Sequence, residues 1–255
     1  MISIIVVYNM DVQTCDIYQT LIKQPDIDVI VCDNSTEPTS NRQTVEGDGA
    51  TYLFMEGNHG LSKAYNAALD HMTMHPQDYV ILFDQDTIVH DDYFPCVRHS
   101  IQTRQDIYFP TVKTANQILS PAVIADGVVS ALDGEDHVPI EEMTAINSGM
   151  VIRMGLFTEY RYPESLFLDY VDHAFIAQMK QRNCSMVWMP VTITQAFSAE
   201  TKDKDQARKR FAIFKKDSEV FYRDIIANKR ACAFVVNKRK LRLLLQYKDI
   251  RIVKW

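Results

Sequence analysis

The chain has 255 residues, 47% of them hydrophobic and 24% charged, with a net charge of −6, a balance that excludes a disordered or fibrous chain. No apolar run approaches the roughly 20 residues that span a bilayer. The opening "MISIIVVYN" lacks the basic segment and cleavage site of a signal peptide, so the expected location is the cytoplasm.

The first predicted strand is "ISIIVVY" (2–8), a continuous β-branched run of the kind buried on both faces of a sheet. Residues 12–24 place Cys15, Tyr18, Leu21 and Ile22 on one helical face. "DVIVCD" (28–33) reads as a second strand, a polar loop follows to about residue 50, and "TYLFM" (51–55) reads as a third strand. Residues 61–72 repeat Leu61, Ala64, Tyr65, Ala68, Leu69 and Met72 at helical spacing. "YVILF" (79–83) is a fourth strand. This alternation predicts an α/β fold with a mostly parallel central sheet flanked by helices.

Ligands of such sheets bind beyond the carboxyl ends of the strands. Tyr8 and Asn9, Asp33 and Asn34, Glu56 to His59, and Asp84 to Asp86 are therefore expected to line one crevice. No GxGxxG and no GxxxxGK[ST] occurs, so no glycine loop is available to cradle phosphate. Two carboxylates can hold a phosphate only through a divalent cation. Asp84 and Asp86, flanking Gln85, thus point to a metal–diphosphate site. The bland alternative is a pair of solvated loop carboxylates, and "DKD" at 203–205 shows how easily the triplet arises by chance.

Five stretches extend this reading: "VVYN" (6–9), "VCDNST" (31–36), "GNHGLSKAYNAAL" (57–69), "INSGMVIRMGLF" (146–157) and "FLDYVDHAF" (167–175). In this order, over about residues 1–197, the chain resembles the family 2 inverting glycosyltransferases with the GT-A fold, and within them the bacterial rhamnosyltransferases of cell-surface polysaccharide synthesis. The resemblance implies a nucleotide-binding half (1–90) and an acceptor half (91–200). It implies donor contacts from Tyr8, Asn9, Asp33, Asn58, Gly60, Leu61, Lys63, Asn66, Asp84, Gln85 and Asp86. Asp33 would meet the base, and Asp84 and Asp86 would hold Mg²⁺ or Mn²⁺, with Asp86 the direct ligand. Asn147, Ser148, Gly149, Asp169 and Tyr170 would face the sugar and acceptor, and Asp172 would be the catalytic base. The implied donor is a nucleoside-diphosphate sugar, dTDP-rhamnose, and the implied acceptor a saccharide or lipid-linked saccharide.

The chemistry agrees with that division. A single displacement needs one carboxylate to deprotonate the acceptor and a cation to stabilise the departing diphosphate, so the base is distinct from the metal ligands. If 169–172 is helical, Asp169 and Asp172 share a face; Asp172 can also read as the cap of a helix over 173–182. Relatives often carry a histidine where Gln195 stands, which leaves the third metal ligand open. A catalytically silent nucleotide-sugar binder is an alternative. A sugar-nucleotidyltransferase would need a Gly-rich basic N-terminal loop that "VVYNMDVQ" lacks.

Residues 201–255 hold 17 of the 27 Lys and Arg but 6 of the 33 Asp and Glu, leaving this tail at +11 and the rest at −17. That shift marks a boundary near residue 200 and a basic helical C-terminal extension. Phe211, Phe214, Phe221 and Ile225, then "KLRLLLQYKDIRIVKW", suggest an amphipathic segment at an anionic membrane surface. A hairpin packed on the acidic body or on a second subunit is the alternative. Nucleic acid is not an expected partner, because the acidic body repels phosphate.

Overall fold

A computed structural model describes residues 1–132, 138–196 and 203–255. In chain order it gives β1 (Ile2–Val7), α1 (Asp16–Leu21), β2 (Asp28–Asp33), α2 (Asn41–Gly47), β3 (Thr51–Phe54), α3 (Leu61–His71) and β4 (Tyr79–Asp84). Then come β5 (Thr87–Ile88), α4 (Tyr93–Ser100), β6 (Ile107–Lys113), β7 (Ile118–Ser120), β8 (Ala122–Ala125), β9 (Val128–Ala131), β10 (Met143–Thr144) and β11 (Met150–Arg153). The chain ends with α5 (Val171–Gln181), β12 (Met186–Gln195), α6 (Lys204–Asp224) and α7 (Lys229–Tyr247).

The main sheet runs in the order β3-β2-β1-β4-β11-β6-β12-β5, with β7 on β6. The β3-β2-β1-β4 run is parallel throughout. Beyond β4 the sheet is mixed, since β11 is antiparallel to both β4 and β6 while β12 is parallel to β6. Strands β8, β9 and β10 form a small antiparallel sheet.

Side chains alternate across β1 and so feed two cores. Ile4 and Val6 join Tyr65, Ala68 and Leu69 of α3, Phe175 of α5 and Phe221 of α6 on one face. Ile5 and Val7 join Tyr18 and Leu21 of α1, Val45 of α2 and Tyr93 and Val97 of α4 on the other. This two-sided burial is why β1 carries an unbroken apolar run.

Two local expectations change. The helix expected over 12–24 is a 3-10 turn at Val12–Thr14 followed by the short α1. Asp11 caps the turn through the Gln13 N–H, and the extended backbone of Cys15 separates it from α1. The polar stretch to residue 50 contains α2, whose one buried apolar residue is Val45 and which so shows no periodicity. The expected boundary near residue 200 falls among 197–202, outside the described residues. Past it, α6 buries Val220, Phe221 and Tyr222 in the core shared with α3 and α5.

Candidate active site

Register fixes the crevice. Val6 of β1 stands opposite Asp84 and Val7 opposite Asp33, so both carboxylates sit at the carboxyl edge of the parallel run. The chain reverses order here: β2 and β3 lie on one side of β1 and β4 on the other. A crevice opens at such a switch point.

Asp84 and Asp86 are brought together and bridged. The Gln195 Nε2 group donates to Asp84 Oδ2 at 3.2 Å and to Asp86 Oδ1 at 2.9 Å. This follows from β5, whose residues Thr87 and Ile88 pair antiparallel with Gln195 and Thr194, while the Ala196 N–H donates to the Asp86 carbonyl at 2.8 Å. Burial, then the charges of Asp86 and Asp172, push the Asp84 carboxyl up to about 7, opposed by hydrogen bonds from Gln195 and Ser148. Burial also raises Asp86. The pair is short of positive charge. Asn147 Oδ1 and the hydroxyls of Tyr65 and Tyr162 are buried without a hydrogen-bond partner among the described residues. Among those residues no three His, Cys, Asp or Glu side chains converge on a metal site. The available set is two carboxylates and the Gln195 amide, which presents a hard oxygen when turned about.

This electrostatic deficit has a measurable sign. The native state keeps a proton on Asp84 that the unfolded chain releases near pH 4, so cation-free protein loses stability as pH rises from about 4 to about 7 and levels off above. Melting temperature in chelator, scanned from pH 5 to 8, should fall with pH, and Asp84→Asn should flatten the profile.

The donor-side residues divide into two groups. Some wall the crevice. Asn9, in a left-handed conformation, accepts from the N–H groups of Thr36 and Glu37 through Oδ1. Gln85 accepts from the Tyr8 N–H at 2.6 Å, and the Tyr8 ring is 44% exposed at the rim. Asn58 Oδ1 accepts from the Gly60 N–H at 3.2 Å. Lys63 is exposed, with Glu164 3.8 Å away. Others make hydrogen bonds within the fold. Asp33 is fully buried and accepts from the Ser35 N–H through Oδ1 and from Thr39, Asn41 and Tyr52 through Oδ2, so its side chain shapes the wall. Asn66 pairs both ways with the Tyr162 backbone, at 2.9 Å each, and braces α3. Leu61 opens α3, and its N–H donates to the Phe167 carbonyl at 2.7 Å.

Gly60 shows why this contact needs glycine. Its φ is +85°, and an added Cβ would stand 2.4 Å from the Phe167 carbonyl oxygen. Gly60→Ala should cost on the order of 2–4 kcal/mol by strain plus steric overlap, read as a lower melting temperature.

On the acceptor side, Ser148 is buried with its hydroxyl 2.5 Å from that of Thr87, and the Gly149 N–H donates to the Leu82 carbonyl at 2.8 Å. Asp172 lies in the first turn of α5, not at its cap, and accepts from the His173 N–H at 2.7 Å. Asp169 precedes the helix, so the two do not share a helical face. Asp169 is held by Arg210 through both guanidinium nitrogens, with Arg239 3.7 Å away. Tyr170, left-handed at φ 65°, stacks on Phe221 at 4.6 Å. Both make protein contacts in this structure. Asn41, Arg210 and Asp217 were missed by periodicity; each polar side chain finds its partner in a distant segment.

A parallel run of four strands, paired carboxylates at its end and a mixed remainder of the sheet make this a GT-A fold. Solved structures agree: S. aureus TarS (residues 1–349) aligns with TM-score 0.51 at 16% identity over 87% of this chain and 65% of that one. GalNAc-T7 with UDP, GalNAc and Mn²⁺ aligns with TM-score 0.60 at 12% identity over 87% of this chain and 50% of that one. The chain belongs to glycosyl transferase family 2, whose family model matches residues 3–160; Asp169 and Asp172 lie past that match. The dTDP-rhamnosyl transferase RfbF of Shigella flexneri is 22% identical over 184 residues, 67% of this chain and 60% of that relative's length.

Proposed function

We propose that this chain is an inverting, cation-dependent rhamnosyltransferase that uses dTDP-rhamnose and a saccharide or lipid-linked saccharide acceptor. The observation that carries the reading is the separation of labour in the crevice. Asp84 and Asp86 form a partly buried carboxylate pair bridged by one amide, and Asp172 is a third carboxylate whose charge the pair feels, with no Lys or Arg ion pair to it among the described residues. The donor sugar rests on the likeness to the Shigella relative. Asp84, Asp86 and Gln195 would hold Mg²⁺ or Mn²⁺, which when bound neutralises a diphosphate leaving group. Asp172 takes the acceptor proton. Tyr8 presents a ring on which a base can stack, and Lys63 offers a charge to the donor. The division of the chain follows: residues 1–90 take the nucleotide, 91–200 the acceptor, and the basic helices from 201 onward support the second half.

The test is a panel of nucleotide-sugars with MnCl₂, read as nucleoside-diphosphate release. Release from dTDP-rhamnose above all others is expected. Binding without release from any donor would show a silent relative instead.

Membrane contact belongs to the same reading. No described helix is long and apolar enough to cross a membrane. Helix α7, however, carries six basic residues and no acidic one. Phe234, Leu241 and Leu245 lie exposed on it at helical spacing, and Ile250 and Val253 are exposed just beyond. Basic charge beside exposed apolar side chains suits an anionic lipid surface, at about 1 kcal/mol per nearby cation. Helix α6 packs on the body, so the hairpin and membrane readings apply to different faces. Sedimentation with anionic vesicles should fall at least about tenfold for Leu241→Glu/Leu245→Glu. Equal binding by wild type and variant would rule out this surface.

A further inference from the structure

We infer that the C-terminal helical hairpin positions the catalytic base, with Asp217 of α6 as its central positioning residue; this rests on Asp172 being that base. Asp217 is fully buried. A buried carboxylate is costly unless its charge is met, and no Lys, Arg or His pairs with it among the described residues. Its charge is met by backbone: three successive N–H groups, from Phe167 at 3.0 Å and from Leu168 and Asp169 at 2.8 Å each, donate to its two oxygens. Such a row of amides is an anion nest, here filled by a side chain from 48 to 50 residues away.

The same face of α6 makes two more contacts. Arg210, two turns before Asp217 and on the same side, grips Asp169 with both terminal guanidinium nitrogens. Phe221, one turn after Asp217, stacks on Tyr170 at 4.6 Å and 15°. That stack covers a tyrosine held at φ 65°, a conformation aromatic residues adopt only when their surroundings impose it. Arg239 of α7 lies over the Phe214 ring at 4.2 Å and reaches toward Asp169, so α7 backs the grip. Residues 167–170 are thus fixed by α6 on one side. On the other, the Phe167 carbonyl accepts from Leu61 at the mouth of the donor pocket. Asp172 follows two residues later, at the start of α5. The segment that carries the base is therefore set between the donor loop and the hairpin, and a displacement of about 1 Å in such a group costs on the order of 100-fold in rate.

The test uses the full chain. Asp217→Asn keeps the shape but turns one donor toward the three amides; Arg210→Gln, at the accessible end of the brace, cannot empty the core. Three quantities are read: dTDP affinity with MnCl₂, dTDP release from dTDP-rhamnose per dTDP-binding site, and hydrogen exchange at the amides of 167–169. For Asp217→Asn we expect dTDP affinity within about twofold of wild type, KM for dTDP-rhamnose unchanged, kcat per site down about 100-fold, and exchange at least about tenfold faster. Arg210→Gln should give about a tenfold loss of kcat with the same unchanged KM. A purely structural role would lower activity only in proportion to the protein that still binds dTDP, leaving kcat per site at the wild-type value, and would overturn the inference. Unchanged exchange at 167–169 would overturn it as well. Wild-type protein that binds dTDP but releases none from dTDP-rhamnose would sink the donor assignment instead, and the exchange result alone would then decide whether Asp217 holds the loop.

Discussion

Asp172→Asn should leave dTDP binding intact and lower sugar transfer by about 10² to 10⁴-fold, the usual contribution of a general base. Two carboxylates compete for the role, and they differ in their partners. Asp169 accepts two guanidinium hydrogen bonds from Arg210 and lies near Arg239. Those charge-assisted bonds occupy its oxygens and hold them toward the guanidinium groups. Asp172 has one bond, from its neighbour's N–H. The substitution is nearly isosteric and removes one favourable charge from the first turn of α5, worth roughly 0.3–1 kcal/mol. Folding should therefore survive, and the loss can be assigned to chemistry. The measurements are calorimetric titration of dTDP with MnCl₂ and steady-state release of dTDP. Transfer by Asp172→Asn at the wild-type rate would remove Asp172 from the mechanism. Asp169→Asn is expected to act differently, by loosening the loop while sparing the proton transfer itself.

Asp86→Ala should abolish the dependence of donor binding on a cation. In wild type, dTDP affinity is expected to rise by at least about 100-fold when Mn²⁺ is added, because an ion held by Asp84 and Asp86 would offset the charge of the diphosphate. With Asp86 gone, Asp84 and Gln195 alone would remain to hold it. Stability should move the other way. Asp86 is one of the charges that raise the Asp84 carboxyl, so its removal relieves repulsion at a buried site. Cation-free Asp86→Ala should melt at or above the wild-type temperature while failing to gain affinity from Mn²⁺. A variant that still binds dTDP more tightly with Mn²⁺ would place the ligand elsewhere. Together the two substitutions separate leaving-group stabilisation from acceptor activation, since each should spare what the other destroys.

Gln195 gives this site its particular character. The resemblance led us to expect a histidine there in many relatives, and left the third ligand open. The structure places the Gln195 amide directly between both carboxylates. A neutral amide can donate to two carboxylates or turn its oxygen toward an ion, whereas it carries no charge of its own to titrate. The cost is a carboxylate pair that stays protonation-prone without the ion, which is the origin of the pH-dependent stability expected above.

The sequence by itself determined the frame of this protein. Strand and helix periods are local, so the run 2–8, the stripe on 61–72 and the apolar strand ending in Asp84 could be read directly, and their alternation fixed which strand ends face the crevice. Pairing of a charged or polar side chain with a partner far along the chain has no period. Gln195 meets Asp84 across 111 residues and Asp217 meets Asp169 across 48, and only the folded chain brings them together. The same holds for the partners of Asp33 and Asn66, which the sequence shows only as polar residues after a strand and within a helix: Asp33 accepts from Asn41, and Asn66 both donates to and accepts from the Tyr162 backbone. That Asp169 rather than Asp172 meets Arg210 and Arg239 was likewise decided in three dimensions, because the helices carrying those arginines come to lie against the segment before α5.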